Sequence, residues 1–183
     1  DLKFNLINFT AGSGLTAQQP FNNIVRVTIE CLAGVMGGCQ SLFPCSYDEA
    51  FCTPAEESVK LALRTQQIIA HETDIPDTID PLGGSYFVES LTCLLEEEAK
   101  EHLVKIQKLG GAIKAIESGF IQKALSEAAY NKQKAIERNE TTIVGVNAYV
   151  EEEESPIRIF KPPRGTEEKQ KARLRALLVK RDS

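Results

Sequence analysis

Apolar positions change period several times along the chain, and each change marks an element. Leu2 to Thr10 mixes apolar and β-favouring residues and reads as a strand, closed by the flexible turn Ala11-Gly12-Ser13-Gly14. Pro20 and Asn22-Asn23 open an apolar helix over Asn22–Met36, which Gly37-Gly38 stops. Cys39–Cys45 reads as a short apolar strand with Pro44 near its end, and Ser46-Tyr47-Asp48-Glu49 as a helix-like turn. Thr53-Pro54-Ala55-Glu56 has the form of an N-cap, a proline at the first helical position and acid in the first turn. Val59, Ala62, Leu63, Gln66 and Ile69 recur at three- and four-residue steps, which predicts an amphipathic helix over Pro54–Glu72.

Asp80-Pro81-Leu82-Gly83-Gly84 is turn chemistry, and Ser85 to Glu89 reads as extended. A long helix is expected over Ser90–Leu109, with Leu91, Leu94, Leu95, Leu103 and Ile106 on its inner face and Glu96-Glu97-Glu98 toward solvent. After the Gly110-Gly111 break come a short helix, Ala112–Ser118, and a longer one, Ile121–Arg138. Thr141–Tyr149 reads as extended, Glu151–Glu154 as a solvated acidic run, and Ser155–Gly165, with three prolines, as a linker. Thr166–Lys180 closes the pattern as a basic amphipathic helix.

The first third therefore alternates strand, helix, strand, helix, the signature of parallel α/β architecture, and the rest is mainly helical. Two strands do not make an independent sheet, and an open parallel edge would be exposed. The pattern calls for further strands upstream. The first residue is Asp1 and not Met, which reads as a cut or processed start.

Composition narrows the class. Apolar residues make up 42% of the 183 and charged residues 26%, as expected for a packed domain. No apolar run reaches the length of a membrane helix, and no signal-peptide pattern opens the chain. The net charge of −5 argues against a nucleic-acid binder. That charge is uneven: Lys161 to Ser183 carries +5 and the remainder −10. The basic tail reads as a solvated helix or a docking helix. Cys31, Cys39, Cys45, Cys52 and Cys93 form no CxxC pair, and His71 and His102 lie far apart. Free buried thiols in a reducing compartment are expected, and no metal site.

Local chemistry alone is sparse. There is no Walker loop, GxSxG, HExxH or dinucleotide fingerprint. Gly12 and Gly14 follow a strand, where a bare turn lets backbone approach a large ligand or is simply a turn. Ser41, Asp48 and Glu49 lie near the carboxyl end of the second strand, where parallel α/β folds gather ligand sites. Glu49 either accepts hydrogen bonds from a sugar hydroxyl or stabilises a helix dipole. These residues support a piece of an α/β ligand-binding domain.

Seven runs, taken together, carry a resemblance. They are Leu15-Thr16-Ala17-Gln18-Gln19-Pro20, Asn22-Asn23-Ile24-Val25-Arg26, Gly38-Cys39-Gln40-Ser41-Leu42, Tyr47-Asp48-Glu49-Ala50, Arg64-Thr65-Gln66-Gln67, Asp80-Pro81-Leu82-Gly83-Gly84-Ser85-Tyr86 and Ile143-Val144-Gly145-Val146-Asn147. In this order and spacing the chain, from about Leu2 to Tyr149, resembles the catalytic chain of the methylmalonyl-coenzyme A mutase family. The resemblance implies an α/β fold made of the last strands and helices of a TIM-type (β/α)8 barrel, followed by a mainly helical C-terminal extension. Residues 1–89 would hold the terminal βα units, 90–150 a post-barrel helical region, and 151–183 a linker and basic helix. Leu2–Thr10 would be barrel strand seven and Cys39–Cys45 strand eight. It also implies adenosylcobalamin as cofactor, an acyl-CoA substrate, and a radical 1,2 rearrangement of its carbon skeleton. The implied partners are the remainder of the barrel and a cobalamin-binding domain or subunit, with no nucleic acid and no membrane. The implied location is the cytoplasm, or the mitochondrial matrix in a eukaryote.

Residue by residue, the resemblance assigns Gly12 to the barrel rim against the corrin, Glu49 to the ribose of the deoxyadenosyl group with Ala50 beside it, and Gln40 to the acyl-CoA. Five departures alter the cavity. Phe9 stands where the methylmalonyl enzyme has a corrin-facing glutamine, and Asn5 and Ile7 replace an arginine and a histidine. Phe43 replaces a histidine, and Cys45 an asparagine near the adenosine. Phe9 and Cys45 thus join the cofactor side, and Phe43 and Asn5 the substrate side, with no catalytic residue assigned. An unpaired buried polar group costs about 1–3 kcal/mol, so the departures imply a less polar acyl group. Two readings follow: a segment of an acyl-CoA mutase (an isomerase), inactive as a segment alone, and a non-catalytic paralogue or assembly subunit that uses the barrel end as an interaction surface.

Overall fold

The apolar alternation of the first third resolves into one parallel strand pair linked through a helix. The structure, a computed structural model, describes residues 5–152, 157 and 159–181. Strand β1 (Ile7–Phe9) pairs in parallel with β2 (Ser41–Phe43), in the register Ile7↔Ser41, Asn8↔Leu42, Phe9↔Phe43. Helix α1 (Asn22–Met36) connects them, and α2 (Glu56–Glu72) packs on α1. Helices α3 (Tyr86–Lys108), α4 (Ala112–Glu117), α5 (Phe120–Glu137) and α6 (Thr166–Lys180) complete a mixed, mostly helical α/β chain. Both strands are shorter than expected, and Leu2, Lys3 and Phe4 of the predicted first strand lie outside the described residues.

Strand parity decides which face is covered. Asn8 and Leu42 turn toward α1, where Gly34 lets the backbones come close: a Cβ there would overlap the Asn8 amide. The core under this face is Val27 and Cys31 of α1 with Ile69 of α2, joined by Leu15, Val35, Leu42 and Cys45. Burial pushes the Cys31 thiol up to about 11, with nearby Glu30, Cys39 and Cys45 adding to the rise. All five cysteines are free, but only Cys31 is buried, and Cys93 is exposed.

Four expectations are corrected. The 85–89 segment is not extended: α3 starts at Tyr86, because the Ser85 hydroxyl accepts the Val88 N–H and the Glu89 carboxylate accepts the Gly84 N–H. Those caps outweigh the β preference of Tyr86-Phe87-Val88. The expected inner face of α3 is largely uncovered among the described residues: Leu91, Leu94, Leu95 and Leu103 are exposed and only Ile106 is half-buried. Helix α2 begins at Glu56, and Thr53 does not cap it; Asp48 Oδ2 instead accepts the Ala55 N–H at 2.9 Å.

The 141–149 segment is a turn rather than a strand. Asn147 Oδ1 accepts the Ile143 N–H at 2.7 Å, while its Nδ2 donates to the carbonyls of Thr141 and Ile136. Gly145 at φ +81° completes it. The Asn147 side chain thus supplies the bonds that a partner strand would otherwise make.

One buried amide joins this turn to the βα layer. Asn23 is fully buried. Its Nδ2 donates to the carbonyls of Thr16 and Tyr47 at 2.8 and 3.0 Å. Its Oδ1 accepts the Thr16 N–H and Arg26 Nη1. Arg26 Nη2 donates onward to the Val144 carbonyl at 2.7 Å, and Gln19 Nε2 donates to that of Tyr149 at 2.8 Å. Asn23→Ala leaves several of these groups unpaired. The substitution is expected to lower the stability of the intact protein by about 2–3 kcal/mol, read as a fall in its urea midpoint; an unchanged midpoint contradicts the network. The cysteines give a second expectation. A raised thiol pKa means less thiolate, so at mildly alkaline pH iodoacetamide modifies Cys93 first and Cys31 last in the folded protein, as peptide mapping over time would show.

Candidate functional site

The parallel pair presents both strand ends in the same direction, so the loops that follow β1 and β2 meet. Thr10, just past β1, is the joint. Its N–H donates to the Phe43 carbonyl at 3.1 Å, its hydroxyl accepts the Cys45 N–H at 2.7 Å, and its carbonyl accepts from Cys45 Sγ at 3.4 Å. Thr10 is buried, so these bonds hold the two loops together with little competition from water.

Above Thr10, Gly12–Gly14 forms one turn of 3-10 helix. Gly12 lies against Cys45: an added Cβ would meet only its Sγ, at 3.9 Å. Burial pushes the Cys45 thiol up, the Thr10 hydrogen bond pulls it down, and the Glu49 and Glu30 carboxylates add to the rise. Cys45 thus lies against the Gly12 turn and feels the charge of Glu49 and Glu30.

Glu49 and Ala50 are exposed in the turns that follow. Glu49 Oε1 accepts the Ser46 N–H at 2.6 Å, which fixes its carboxylate at the rim; it is not a helix-dipole acid, because no helix starts there. The neighbouring Asp48 is 1% exposed and faces inward, with Oδ2 on Ala55 N–H and Oδ1 without a hydrogen-bond partner.

Phe9 and Phe43, a register pair, occupy the sheet face away from α1. Their rings stack with centroids 4.9 Å apart and planes 16° from parallel. They remain 66% and 55% exposed, so this apolar wall faces open space.

The structure thus gathers Phe9, Gly12, Phe43, Cys45, Glu49 and Ala50 at the carboxyl ends of the strands. Asn5 and Gln40 lie at the other ends. Gln40 Oε1 accepts the Leu6 N–H and its Nε2 donates to the Gly38 carbonyl at 2.8 Å, so its amide is engaged with local backbone. A cleft of about 770 Å³ lies behind the Gly14 turn, between Arg26, Lys132, Thr141 and Val144, and takes in none of the six clustered residues. Among the described residues, no group of three or more His, Cys, Asp or Glu side chains converges on a metal position, and no helix is long and apolar enough to cross a membrane. Sequence reasoning missed Thr10 and Glu30, since one reads as a strand end and the other as a helix-surface acid; only the pairing register makes them neighbours of the loops.

Comparison with known proteins identifies relatives of the chain. The chain is 44% identical over 174 residues to the 2-hydroxyisobutanoyl-CoA mutase large subunit of Aquincola tertiaricarbonis, covering 94% of this chain and 31% of that protein. It is 45% identical over 151 residues to the methylmalonyl-CoA mutase of Rhizobium meliloti, covering 82% and 21%. It is 42% identical over 175 residues to a probable mitochondrial methylmalonyl-CoA mutase of Caenorhabditis elegans, covering 95% and 24%. The chain therefore spans about a fifth to a third of the length of these relatives. With the methylmalonyl-CoA mutase family model matching residues 2–183, the chain belongs to the methylmalonyl-CoA mutase family.

Proposed function

We propose that the chain is part of the catalytic chain of an adenosylcobalamin-dependent mutase that rearranges the carbon skeleton of a short acyl-CoA. In this reading β1 and β2 are the last two strands of a (β/α)8 barrel, and α3 to α6 follow it. The observation that carries the reading is the convergence of Phe9, Gly12, Phe43, Cys45, Glu49 and Ala50 at one end of a parallel pair. That end is where barrel enzymes place their ligands.

The residues fit the cofactor in kind. An exposed turn without side chains at Gly12, an aromatic wall at Phe9 and Phe43, and an exposed carboxylate at Glu49 suit a broad planar ring system that bears a ribosyl group. When bound, adenosylcobalamin supplies the 5′-deoxyadenosyl radical that starts a hydrogen abstraction. The chain's own residues bind and shield. Glu49 accepts hydroxyl donors from a ribose diol; a carboxylate has acceptor capacity beyond the one bond to Ser46. Gly12, Ala50 and the half-buried Cys45 line the cofactor side. Phe43 and Phe9 exclude water from the reacting carbon, and Phe43 lies on the acyl-CoA side; Asn5 and Gln40, at the opposite strand ends, would meet an acyl-CoA that runs along the length of the strands. The apolar wall makes a less polar acyl group than methylmalonyl the better substrate.

The same stacked pair favours the second reading, a non-catalytic assembly subunit, because two exposed stacked rings also suit a protein interface. The complete enzyme, supplied with its cobalamin-binding part and adenosylcobalamin, is expected to interconvert branched and linear short acyl-CoA isomers, followed by chromatography of the thioesters. No isomer formed from any short acyl-CoA overturns the catalytic reading. Glu49→Ala in that enzyme is expected to lower kcat at least roughly tenfold while the KM for acyl-CoA changes by less than about threefold. Unchanged turnover removes Glu49 from the site.

A further inference from the structure

Glu30 is an acid on α1 that neither the core nor the clasp to the 141–149 turn uses. It is half-buried, and its Oε2 accepts the Ala11 N–H at 2.7 Å. Ala11 is the residue that enters the Gly12–Gly14 turn. The other carboxylate oxygen of Glu30 lies beside the turn's far end, where a Cβ on Gly14 would stand 3.0 Å from Oε1. Within the turn, the Gly14 N–H donates to the Ala11 carbonyl at 2.9 Å and the Leu15 N–H to the Gly12 carbonyl at 3.1 Å. These bonds shape the turn but do not anchor it. Among the described residues the chain into the turn is held by the Thr10–Cys45 joint and by Glu30 on the Ala11 N–H, and the chain out of it by Leu15 in the core and Thr16 on Asn23.

We infer that Glu30 is a positioning residue: its carboxylate fixes the Gly12 turn at the rim of the site and thereby sets the surface that adenosylcobalamin meets. The inference rests on the cofactor reading given above and adds a residue to it. The physical reason is local. Three residues with two glycines have large backbone freedom, and a bare turn presents a defined surface only if something outside it removes that freedom. A hydrogen bond to an ionised acceptor is about twice as strong as a neutral one, and Glu30 reaches from a helix that is itself packed in the core. Glu30 acts through the Ala11 N–H and touches no ligand.

The test uses the complete enzyme with its cobalamin-binding part, and reads adenosylcobalamin affinity by spectroscopic titration beside the steady-state constants for acyl-CoA. Glu30→Ala is expected to weaken adenosylcobalamin binding on the order of tenfold, with the KM for acyl-CoA within about twofold. Glu30→Gln, which keeps an acceptor oxygen, is expected to recover most of the affinity. Ala11 sits at φ −82°, close to what proline requires, so Ala11→Pro removes the N–H, and the proline ring, placed where the hydrogen was, turns the Glu30 carboxylate away. In that background Glu30→Ala is expected to have no further effect. The inference is overturned if Glu30→Ala leaves cofactor affinity unchanged, if affinity and KM shift together, if glutamine fails to rescue, or if the alanine effect persists with Ala11→Pro. If the unaltered enzyme fails to bind adenosylcobalamin at all, the cofactor reading falls and this inference with it. Binding of cofactor by the unaltered enzyme with an unaffected Glu30→Ala variant overturns the inference alone.

Discussion

The buried amide of Asn23 is the interaction on which the arrangement depends. A primary amide has two donors and an acceptor oxygen with two lone pairs, and here all are directed: Thr16 on one side, Tyr47 on another, Arg26 on a third. Those partners belong to the loop after β1, the turns after β2, and α1 itself. One side chain therefore fixes the two loops of the site relative to the helix that joins their strands. Arg26 extends the network to the turn built on Asn147, which brings residues about 120 positions apart into one polar cluster. Buried and satisfied, such a network specifies one geometry, because any slip strands several polar groups at once.

That constraint explains the division of labour between the two faces of the strand pair. The face toward α1 carries Asn8 and Leu42 and is sealed by the core of Val27, Cys31 and Ile69. The other face carries Ile7, Phe9 and Phe43 and stays open. An apolar face without cover is unfavourable by itself. The chain spans about a fifth to a third of the length of its relatives. The exposed leucines of α3 lie open in the same way. Site geometry is thus held by polar contacts above a small apolar core, while much of the apolar surface stays uncovered by the described residues.

Much of the helical layout was legible from periodicity. The breaks at Gly37-Gly38 and Gly110-Gly111 and the three- and four-residue apolar steps locate α1, α2, α4 and α5 within a few residues. The failures share a cause. At Ser85 and at Asn147 a polar side chain bonds to nearby backbone and overrides β-favouring neighbours, and nothing in a hydrophobic pattern registers that bond. At α2 the expected cap is absent: the helix starts at Glu56 with no side-chain cap, and Asp48 holds the Ala55 N–H just ahead of it. Six of the eight proposed site residues do meet at one strand end, whereas Asn5 and Gln40 lie at the other, because parallel pairing sorts residues by their position along the strand.

The sequence by itself determined the family, the α/β order of its first third, and the residue types available to a ligand: a bare turn, two aromatics, a carboxylate and a thiol. These are local properties, carried by composition, spacing and turn chemistry. Only the tertiary structure decided that Phe9 stacks on Phe43, that Glu49 turns outward while Asp48 turns in, and that Glu30 reaches the Gly12 turn. Each of those depends on which residues the register and the buried Asn23 network bring opposite one another, and a one-residue slip in pairing would reverse every face without changing a letter of the chain.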